Sequence, residues 1–286
     1  MMSSVNAILL LSCPDQKGLV ATISNFIFQH NGNIIHADQY TSQTTGLFFM
    51  RLEWDLDHFD IPRQEIGEVF KPLAERFRVR WHLQFSDYVP RMALFVSRHV
   101  HCFHDLILRK RMGEFKADIP LVISNHPELI PLIEHLGVHS EYVPITPETK
   151  PAQEDKELAL LKEYRIDFVV LARYMQILSG EFVAAYRNRI INIHHSFLPA
   201  FAGSKPYQQA CDRGVKIIGA TSHYVTEILD EGPIIAQDVM KISHRDSVED
   251  IMLKGKDLER IVLARAVRLH AENRILVYGS KTVIFE

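Results

Sequence analysis

The sequence has few cysteines and no long apolar run, and both features restrict the cellular compartments in which the protein is expected. Its three cysteines, Cys13, Cys102 and Cys211, are odd in number and far apart, which fits a reducing compartment better than a disulfide framework. No apolar run approaches the roughly 20 residues that span a bilayer. The N-terminal residues lack the basic start, apolar core and cleavage site of a secretory signal. We therefore expect a cytoplasmic protein without a membrane-spanning segment.

The sequence also lacks an excess of positive charge and any glycine-rich phosphate loop. Its formal net charge is −3, so we expect no nucleic-acid partner. A dinucleotide-binding fold would carry Gly-x-Gly-x-x-Gly after its first strand, but residues 97–104 at that place contain no glycine, and no Walker loop occurs elsewhere. These absences exclude nicotinamide and nucleoside triphosphate chemistry.

One group of metal-ligating residue types does occur, in the same glycine-free stretch. His99, His101, Cys102 and His104 are close in sequence, but zinc needs ligand atoms that converge. The group lies at a predicted strand-to-helix turn, where the backbone changes direction abruptly. Neighbouring residues on a strand diverge, which also argues against chelation by His194 and its successor. We therefore predict no metal site.

The length of 286 residues and an apolar content of 47% favour two domains. The first is predicted to cover residues 1–87, with the order strand, helix, two strands, helix, strand that is typical of a ferredoxin-like sandwich. Apolar periodicity and turn signals predict the strands at 7–11, 33–42, 47–54 and 78–85, and the helices at 19–27 and 66–73.

The second predicted domain covers residues 88–286 and follows a polar break around Ser86–Pro90. Here continuous apolar strands alternate with helices, a pattern that indicates a Rossmann-like, parallel, doubly wound α/β sheet. The predicted strands are 92–96, 119–124, 141–145, 168–171 and 190–194; the predicted helices are 104–112, 127–136, 154–164 and 248–271. Ligands in such sheets bind beyond the carboxyl ends of the strands.

Asn192 and His194 lie at one such strand end. Alternation along the strand places both side chains on one face. Together with Asp230 they supply an amide, an imidazole and a carboxylate, which are the groups that hydrolysis or transfer of an acyl group needs when no metal takes part. The residues alone also allow a polar strand end capped by water, and Asp230 could simply form a turn.

In the first domain, Asp15-Gln-Lys-Gly18 and Asn31-Gly-Asn33-Ile34 resemble the corresponding segments of ACT domains, small regulatory modules that bind amino acids. The resemblance implies an effector loop that includes Asp15, Gly18, Asn31 and Asn33, and pairing of subunits into a homo-oligomer. The free amides at a helix N-terminus would suit the carboxylate of such an effector. Alternatively, Gly18 merely opens a helix and Gly32 merely closes it.

In the second domain, three motifs occur in the order that is found in folate-dependent formyltransferases: Asn192-Ile-His194-His-Ser196-Phe-Leu198-Pro199, His223-Tyr-Val and Asp230-Glu-Gly232-Pro-Ile. The resemblance implies Asn192, His194 and Asp230 as catalytic residues and His223 in a supporting role. It also implies two folate-binding loops, at residues 175–178 and 225–230. The expected folate contacts are Met175, Gln176, Ile177, Leu178, Tyr224, Val225 and Thr226. The alternative for residues 175–178 is a plain hydrophobic core segment.

An ACT-like domain ahead of a formyltransferase domain resembles the formyltetrahydrofolate deformylase family, as do Ser124-Asn-His126-Pro, residues 171–178 and Pro206-Tyr-Gln-Gln-Ala. This resemblance implies hydrolysis of 10-formyltetrahydrofolate to formate and tetrahydrofolate, which supplies formate for purine synthesis and balances one-carbon folate pools. It implies a folate substrate and no permanently bound cofactor. An amine-accepting formyltransferase and a catalytically inactive folate sensor are the alternatives.

Overall fold

The computed structural model describes residues 5–199 and 206–286, and the chain divides into two units. The first contains the residues up to Tyr88 together with Asn273–Tyr278 and Val283–Glu286; the second contains Val89–Glu272 and Gly279–Thr282. The main division lies next to the predicted boundary. The last residues of the chain differ from the prediction, since most of them belong to the first unit. No helix in the two described ranges is long and apolar enough to cross a membrane.

The first unit is built around an antiparallel sheet with the strand order β2-β3-β1-β4. Its elements are β1 (Asn6–Pro14), α1 (Leu19–Gln29), β2 (Asn33–Ser42), β3 (Leu47–Asp55), α2 (Ile66–Phe77) and β4 (Arg80–Phe85). Both helices bury their apolar stripes in one core, with Ile23 from α1 and Phe70 from α2 packed over Leu9 and Trp54. The predicted ferredoxin-like order is confirmed.

The second unit contains a seven-stranded sheet with the order β11-β10-β9-β8-β5-β6-β7. Its elements are β5 (Arg91–Val96), α3 (His101–Arg111), β6 (Asp118–Ser124), a 3₁₀ turn (Pro127–Leu129), α4 (Ile130–His135), β7 (Ser140–Tyr142), α5 (Lys150–Glu163), β8 (Phe168–Ala172), α6 (Gly180–Ala185), β9 (Ile190–His194), α7 (Pro206–Asp212), β10 (Ile217–Tyr224), β11 (Ile234–Lys241) and α8 (Val248–Ala271).

The sheet is mixed, whereas the sequence predicts a parallel one. Five strands from β9 to β7 are parallel, but β10 runs antiparallel to β9, and β11 runs antiparallel to β10. The sequence pattern does not predict β10 and β11, because the buried end of β10 is polar. Thr221, Ser222 and His223 are all at most 2% exposed. Their hydroxyl and ring groups are bonded inside the unit, so they do not interrupt the strand.

The chain ends in a two-stranded hairpin of β12 (Ile275–Tyr278) and β13 (Lys281–Ile284). In the first unit, Val283 and Phe285 pack against Leu10 and Phe49, on the sheet face that α1 and α2 leave uncovered. β1 is apolar on both faces, so this second face needs a cover. The sequence predicts a final apolar segment over residues 275–285 and does not indicate which sheet it covers.

Candidate active site

Four polar side chains converge where β9 meets β10 and the turn that follows it. His194 Nδ1 lies 3.3 Å from Asp230 Oδ1, and His223 Nε2 lies 3.7 Å from the same oxygen. Asn192 Nδ2 lies 3.2 Å from His223 Nε2. The antiparallel register makes His223 the direct cross-strand partner of Asn192. The structure thus brings together the three residues that the sequence selects as catalytic, with His223 between them.

The contacts of His223 determine which of its nitrogens carries the proton. Nδ1 lies 2.9 Å from the carbonyl oxygen of Tyr224, which can only accept, so Nδ1 is the N–H donor. In the neutral ring, Nε2 therefore accepts a hydrogen bond from the side-chain amide of Asn192. This contact orients the Asn192 amide group, whose second N–H has no acceptor among residues 5–199 and 206–286.

His194 is buried and asymmetrically bonded. Its Nδ1 faces Asp230, whereas its Nε2 is buried and has no hydrogen-bond partner among residues 5–199 and 206–286. A buried nitrogen without a partner costs on the order of 1–3 kcal/mol, so folding stability does not explain it. An unpartnered nitrogen on a ring whose other nitrogen contacts a carboxylate is a feature expected of a functional site.

Asp230 lies in a tight turn and is held as a carboxylate. Hydrogen bonding from His194 is the main cause that places the pKa of Asp230 well below its usual range, and it outweighs the effect of partial burial. The His223 contact is too long for a hydrogen bond and adds electrostatic attraction only when that ring is protonated. The backbone of Asp230 is left-handed, with φ of 59°, a conformation that aspartate tolerates better than most residues.

Gly232 allows this turn to pack against β10. A Cβ atom at Gly232 would lie 1.6 Å from the carbonyl oxygen of Tyr224 and 3.2 Å from His223 Nδ1. No side chain fits into that space. The turn therefore reaches its position beside the imidazoles only because residue 232 is glycine.

Two loops that the sequence assigns to folate lie side by side. A Cβ atom at Gly180, just after the first loop, would be 3.8 Å from the Glu227 side chain in the second loop. Both loops present large apolar side chains to solvent, and exposed apolar groups close to a polar cluster are typical of a ligand site. The exposed side chains are Met175 at 59%, Ile177 at 63%, Ile228 at 62% and Leu229 at 61%.

Three residues predicted to contact folate have side chains that pack inside the unit or against its core. Tyr224 is 2% exposed, and its hydroxyl lies 2.7 Å from His270 Nδ1, so its side chain is engaged within the unit, and its contact with folate stays a prediction. Leu178 is part of the main hydrophobic core of the unit, and Val225 packs against that core. Val225 directly follows β10 and continues its packing.

Other polar contacts fix the shape of the two loops. Thr226 Oγ1 donates to the carbonyl oxygen of Ile228 and thereby shapes the second loop. The backbone N–H of Met175 donates to Ser97 Oγ at 3.1 Å, which fixes the start of the first loop. Gln176 is partly exposed between its two exposed neighbours.

Two buried carboxyl groups of α5 anchor the ends of the first loop, a feature that sequence reasoning missed. The Tyr174 hydroxyl donates to Glu157 Oε1 at 2.9 Å, and the Ser179 backbone N–H donates to Glu154 Oε1 at 3.1 Å. Burial raises the pKa of Glu157 to about 7. Acidic residues at helical spacing look like a solvated helix face in sequence, so only the fold identifies them.

The four residues of the expected effector loop are not gathered within one chain. Asp15 and Gly18 precede α1, whereas Asn31 and Asn33 follow it, and the 11 residues of this helix span about 16 Å. Asn31 is also engaged, because its side-chain amide donates to the His58 carbonyl oxygen at 2.8 Å.

The histidine- and cysteine-rich stretch at 97–104 does not form a four-ligand cluster. His99 and His104 are exposed, whereas Cys102 is fully buried. The potential ligand atoms of His101, Cys102 and Glu259 lie within 4.8 Å of one another. However, the Arg173 guanidinium lies 3.5 Å from the same Glu259 oxygen that contacts His101, and this positive charge disfavours a cation.

Comparisons with known proteins agree with this architecture. Residues 90–267 match the family model described as formyl transferase, and residues 7–62 match the ACT domain model. The chain is 57% identical to a formyltetrahydrofolate deformylase of Synechocystis over 99% of its length and 100% of the relative's, and 48% identical to one from Bacillus subtilis over 97% and 93%. A crystal structure of a formyltetrahydrofolate deformylase from Pseudomonas syringae superposes with a TM-score of 0.97 at 44% identity, covering 100% of this chain and 96% of that one. The chain, with its ACT domain followed by a formyl transferase domain, therefore belongs to the formyltetrahydrofolate deformylase family.

Proposed function

We propose that this protein hydrolyses 10-formyltetrahydrofolate to formate and tetrahydrofolate, with water as the acceptor. The observation that carries the proposal is the placement of His194 Nδ1 3.3 Å from Asp230 Oδ1, next to the amide of Asn192 and two exposed apolar loops. Family membership supplies the substrate, and the cluster supplies the groups that the chemistry needs.

The two loops are proposed to hold the folate. Met175 and Ile177 offer apolar surface for the flat pterin and aminobenzoyl rings, and backbone groups of the loops pair with the amide-like edge of the pterin. Ile228 and Leu229 line the facing loop. Substrate binding covers these four exposed side chains and places the formyl group toward Asn192 and His194.

The first chemical step is attack of water on the formyl carbon. A carbon–oxygen bond forms, and the carbonyl π pair moves onto the formyl oxygen. The second N–H of the Asn192 amide donates to this oxyanion, and one such preorganised donor is commonly worth about 10²–10³ in rate. Oδ1 of Asp230 is engaged by His194, so Oδ2 is the oxygen proposed to orient the attacking water.

The second step expels tetrahydrofolate. The carbon–nitrogen bond to N10 breaks, and N10 leaves with a proton that originates from the attacking water. His194 Nε2, the buried nitrogen without a protein partner in the described ranges, is the proposed atom for this proton transfer. Asp230 stabilises the imidazolium that forms in between, because the low pKa of its carboxyl makes it an acceptor of hydrogen bonds and a weak base.

This donor set performs the reaction with side chains of the chain itself, and we propose that the enzyme needs no permanently bound cofactor. We further propose that it acts in the cytoplasm as part of a homo-oligomer, supplying formate for purine synthesis and balancing folate pools. These points rest on the family and on the sequence.

The ACT domain is proposed to bind an amino-acid effector. α1 begins at Leu19 after Gly18, without a side-chain cap or an acidic residue in its first turn, so its first N–H groups are suited to a carboxylate. Because Asn31 and Asn33 lie at the far end of α1, they can join this site only from another subunit. Calorimetric titration with glycine, methionine and serine tests the proposal; absence of heat with all three contradicts it.

The catalytic proposal is tested by incubating the purified protein with 10-formyltetrahydrofolate alone. We expect tetrahydrofolate, followed by its absorbance, and formate in equal amounts, without an added amine or metal. Formate that appears only after an amine is supplied would replace the proposal with formyl transfer. Substrate binding without turnover would favour a sensor.

A further inference from the structure

Next to His194 lies a group of buried and partly buried polar side chains that the proposed chemistry does not use. We call it the Arg173 network, and its members are His195, Arg173, Glu259, His101 and Tyr207.

The network begins at the candidate catalytic imidazole. The ring of His195 stacks on that of His194, with centroids 5.0 Å apart and an angle of 14° between the planes. The Arg173 guanidinium donates to His195 Nδ1, so this nitrogen is an acceptor and the proton of the neutral ring is on Nε2. Burial, followed by the charge of Arg173, lowers the pKa of His195 to about 4. His195 is therefore neutral at physiological pH.

Glu259 of α8 is the centre of the network. One of its oxygens lies 2.7 Å from His101 Nε2 and 3.5 Å from Arg173 Nε, and the other accepts from the Tyr207 hydroxyl at 2.5 Å. Burial alone would raise the pKa of Glu259, but the His101 hydrogen bond and the Arg173 charge lower it below its usual value. The charges of Glu259 and Arg173 therefore offset each other.

The position of the network matters more than its charge. Ser97 follows β5, Arg173 follows β8 and His195 follows β9, so the three residues stand at the carboxyl ends of adjacent parallel strands. In open α/β sheets this crevice is where ligands bind. At these strand ends the side chains of Arg173 and Glu259 are packed against other protein groups and are only 11% and 1% exposed.

Tyr207 also packs into this crevice, against α8. A Cβ atom at Gly255 of α8 would lie 2.2 Å from the Tyr207 hydroxyl oxygen, so the phenol ring rests directly against the helix backbone. The small residue at 255 allows the ring to reach Glu259. The crevice is thus closed by side chains that are bonded to each other and not merely by mobile surface groups.

We infer that the Arg173 network closes the part of the crevice through which an amine-bearing second substrate would approach, so that water is the only nucleophile that reaches the formyl carbon. Arg173, Glu259 and Tyr207 are then specificity-determining residues that make the site hydrolytic. This inference rests on the proposed hydrolysis, but it concerns the choice of acceptor and not the chemistry of attack.

The test measures how the formyl group is divided between water and methoxyamine, a small amine that is uncharged near neutral pH. In an opened site the amine nitrogen bonds to the formyl carbon, the bond to N10 breaks, and a proton of the amine passes to N10. Formate and N-methoxyformamide are quantified for the wild type, for R173A and R173A/E259A, which open the crevice, and for R173M/E259M, which keeps it filled without charge. The exposed pair Arg265–Asp238, whose side chains are each 39% exposed, provides the control R265A/D238A.

We expect only formate from the wild type, the control and R173M/E259M, and at least a tenfold larger share of N-methoxyformamide from the opened variants. Formation of N-methoxyformamide by the wild type overturns the inference even if the opened variants do not fold. Opened variants that still yield only formate also overturn it. A wild type that releases no formate without the amine contradicts the proposed hydrolysis instead, so the two failures are distinguishable.

Discussion

The side-chain amide of Asn192 is held by the ring of His223 across the β9–β10 pair, with 3.2 Å between Nδ2 and Nε2. The antiparallel register makes these two residues direct neighbours. Because Nδ1 of the ring is committed to the Tyr224 carbonyl, Nε2 accepts from Asn192. His223 therefore positions the proposed oxyanion donor.

Replacing His223 with phenylalanine keeps the ring volume but removes the acceptor for Asn192. We expect kcat for formate release to fall by about tenfold or more, since one misaligned hydrogen bond costs about 1–2 kcal/mol in the transition state. KM should change little, because the folate loops are untouched. His223→Gln, which restores an acceptor oxygen, should recover part of kcat. Equal kcat values for H223F and the wild type would show that the Asn192–His223 contact has no role.

Gly232→Ala tests whether the turn at Asp230 depends on close packing. Its Cβ would stand 1.6 Å from the Tyr224 carbonyl oxygen, so the turn must move and take Asp230 away from His194. We expect a loss of turnover of at least about 10²-fold. Gly113→Ala is the control: it adds a Cβ in open space at a φ of 75°, which imposes backbone strain without a clash. Comparable activity of G232A and G113A would contradict the packing argument.

The apolar loops are tested by placing a charge on them. Ile177→Asp and Ile228→Asp each remove apolar surface that folate is proposed to cover, and burying a side chain of this size contributes about 1.5–3 kcal/mol. We expect KM to rise about tenfold or more, with a smaller change in kcat. Leu253→Asp, at a side chain of similar exposure (60%) on α8, is the matched control. If all three variants keep the wild-type KM, folate does not lie on these loops.

Glu157 should make stability depend on pH. The native state retains the Glu157 proton up to about pH 7, whereas the unfolded chain releases it near the ordinary value of 4.5. The stabilisation is therefore complete below pH 4.5 and is lost as pH rises through 7, by on the order of 3 kcal/mol. Denaturant unfolding at pH 5 and pH 8 should show that E157Q loses less stability over this interval than the wild type. Identical losses would mean that Glu157 does not titrate in this range.

The sequence predicts much of the fold because most elements have a simple apolar pattern. The periodicity of Leu19, Ile23 and Ile27 predicts α1, and 248–271 is predicted with the bounds that α8 has. β10 is the informative failure. Its residues Thr221–His223 are polar yet buried, because their partners come from β9, from the turn after it and from the backbone next to His223. A local pattern does not contain those partners.

In the candidate site, too, some residues could be predicted from the sequence and others could not. Asn192 and His194 could be selected because they share one face of a strand, and Asp230 because its motif follows in order. The resemblance predicts a folate contact at Tyr224, but it does not show that the hydroxyl of Tyr224 is directed inward to His270. Arg173 and Glu259 could not be paired from sequence at all. They are 86 positions apart (259 − 173), and only the end of β8 and the packing of α8 bring them together.

Substitution of Asp230 by asparagine tests the central claim most directly. Asparagine keeps the size and the left-handed backbone preference but removes the negative charge that faces His194. We predict that kcat for formate release falls by at least about 10²-fold, whereas the dissociation constant of tetrahydrofolate, measured by calorimetry, stays within about threefold of the wild-type value. Undiminished turnover in D230N would contradict the proposal that Asp230, His194 and Asn192 act together on the formyl carbon.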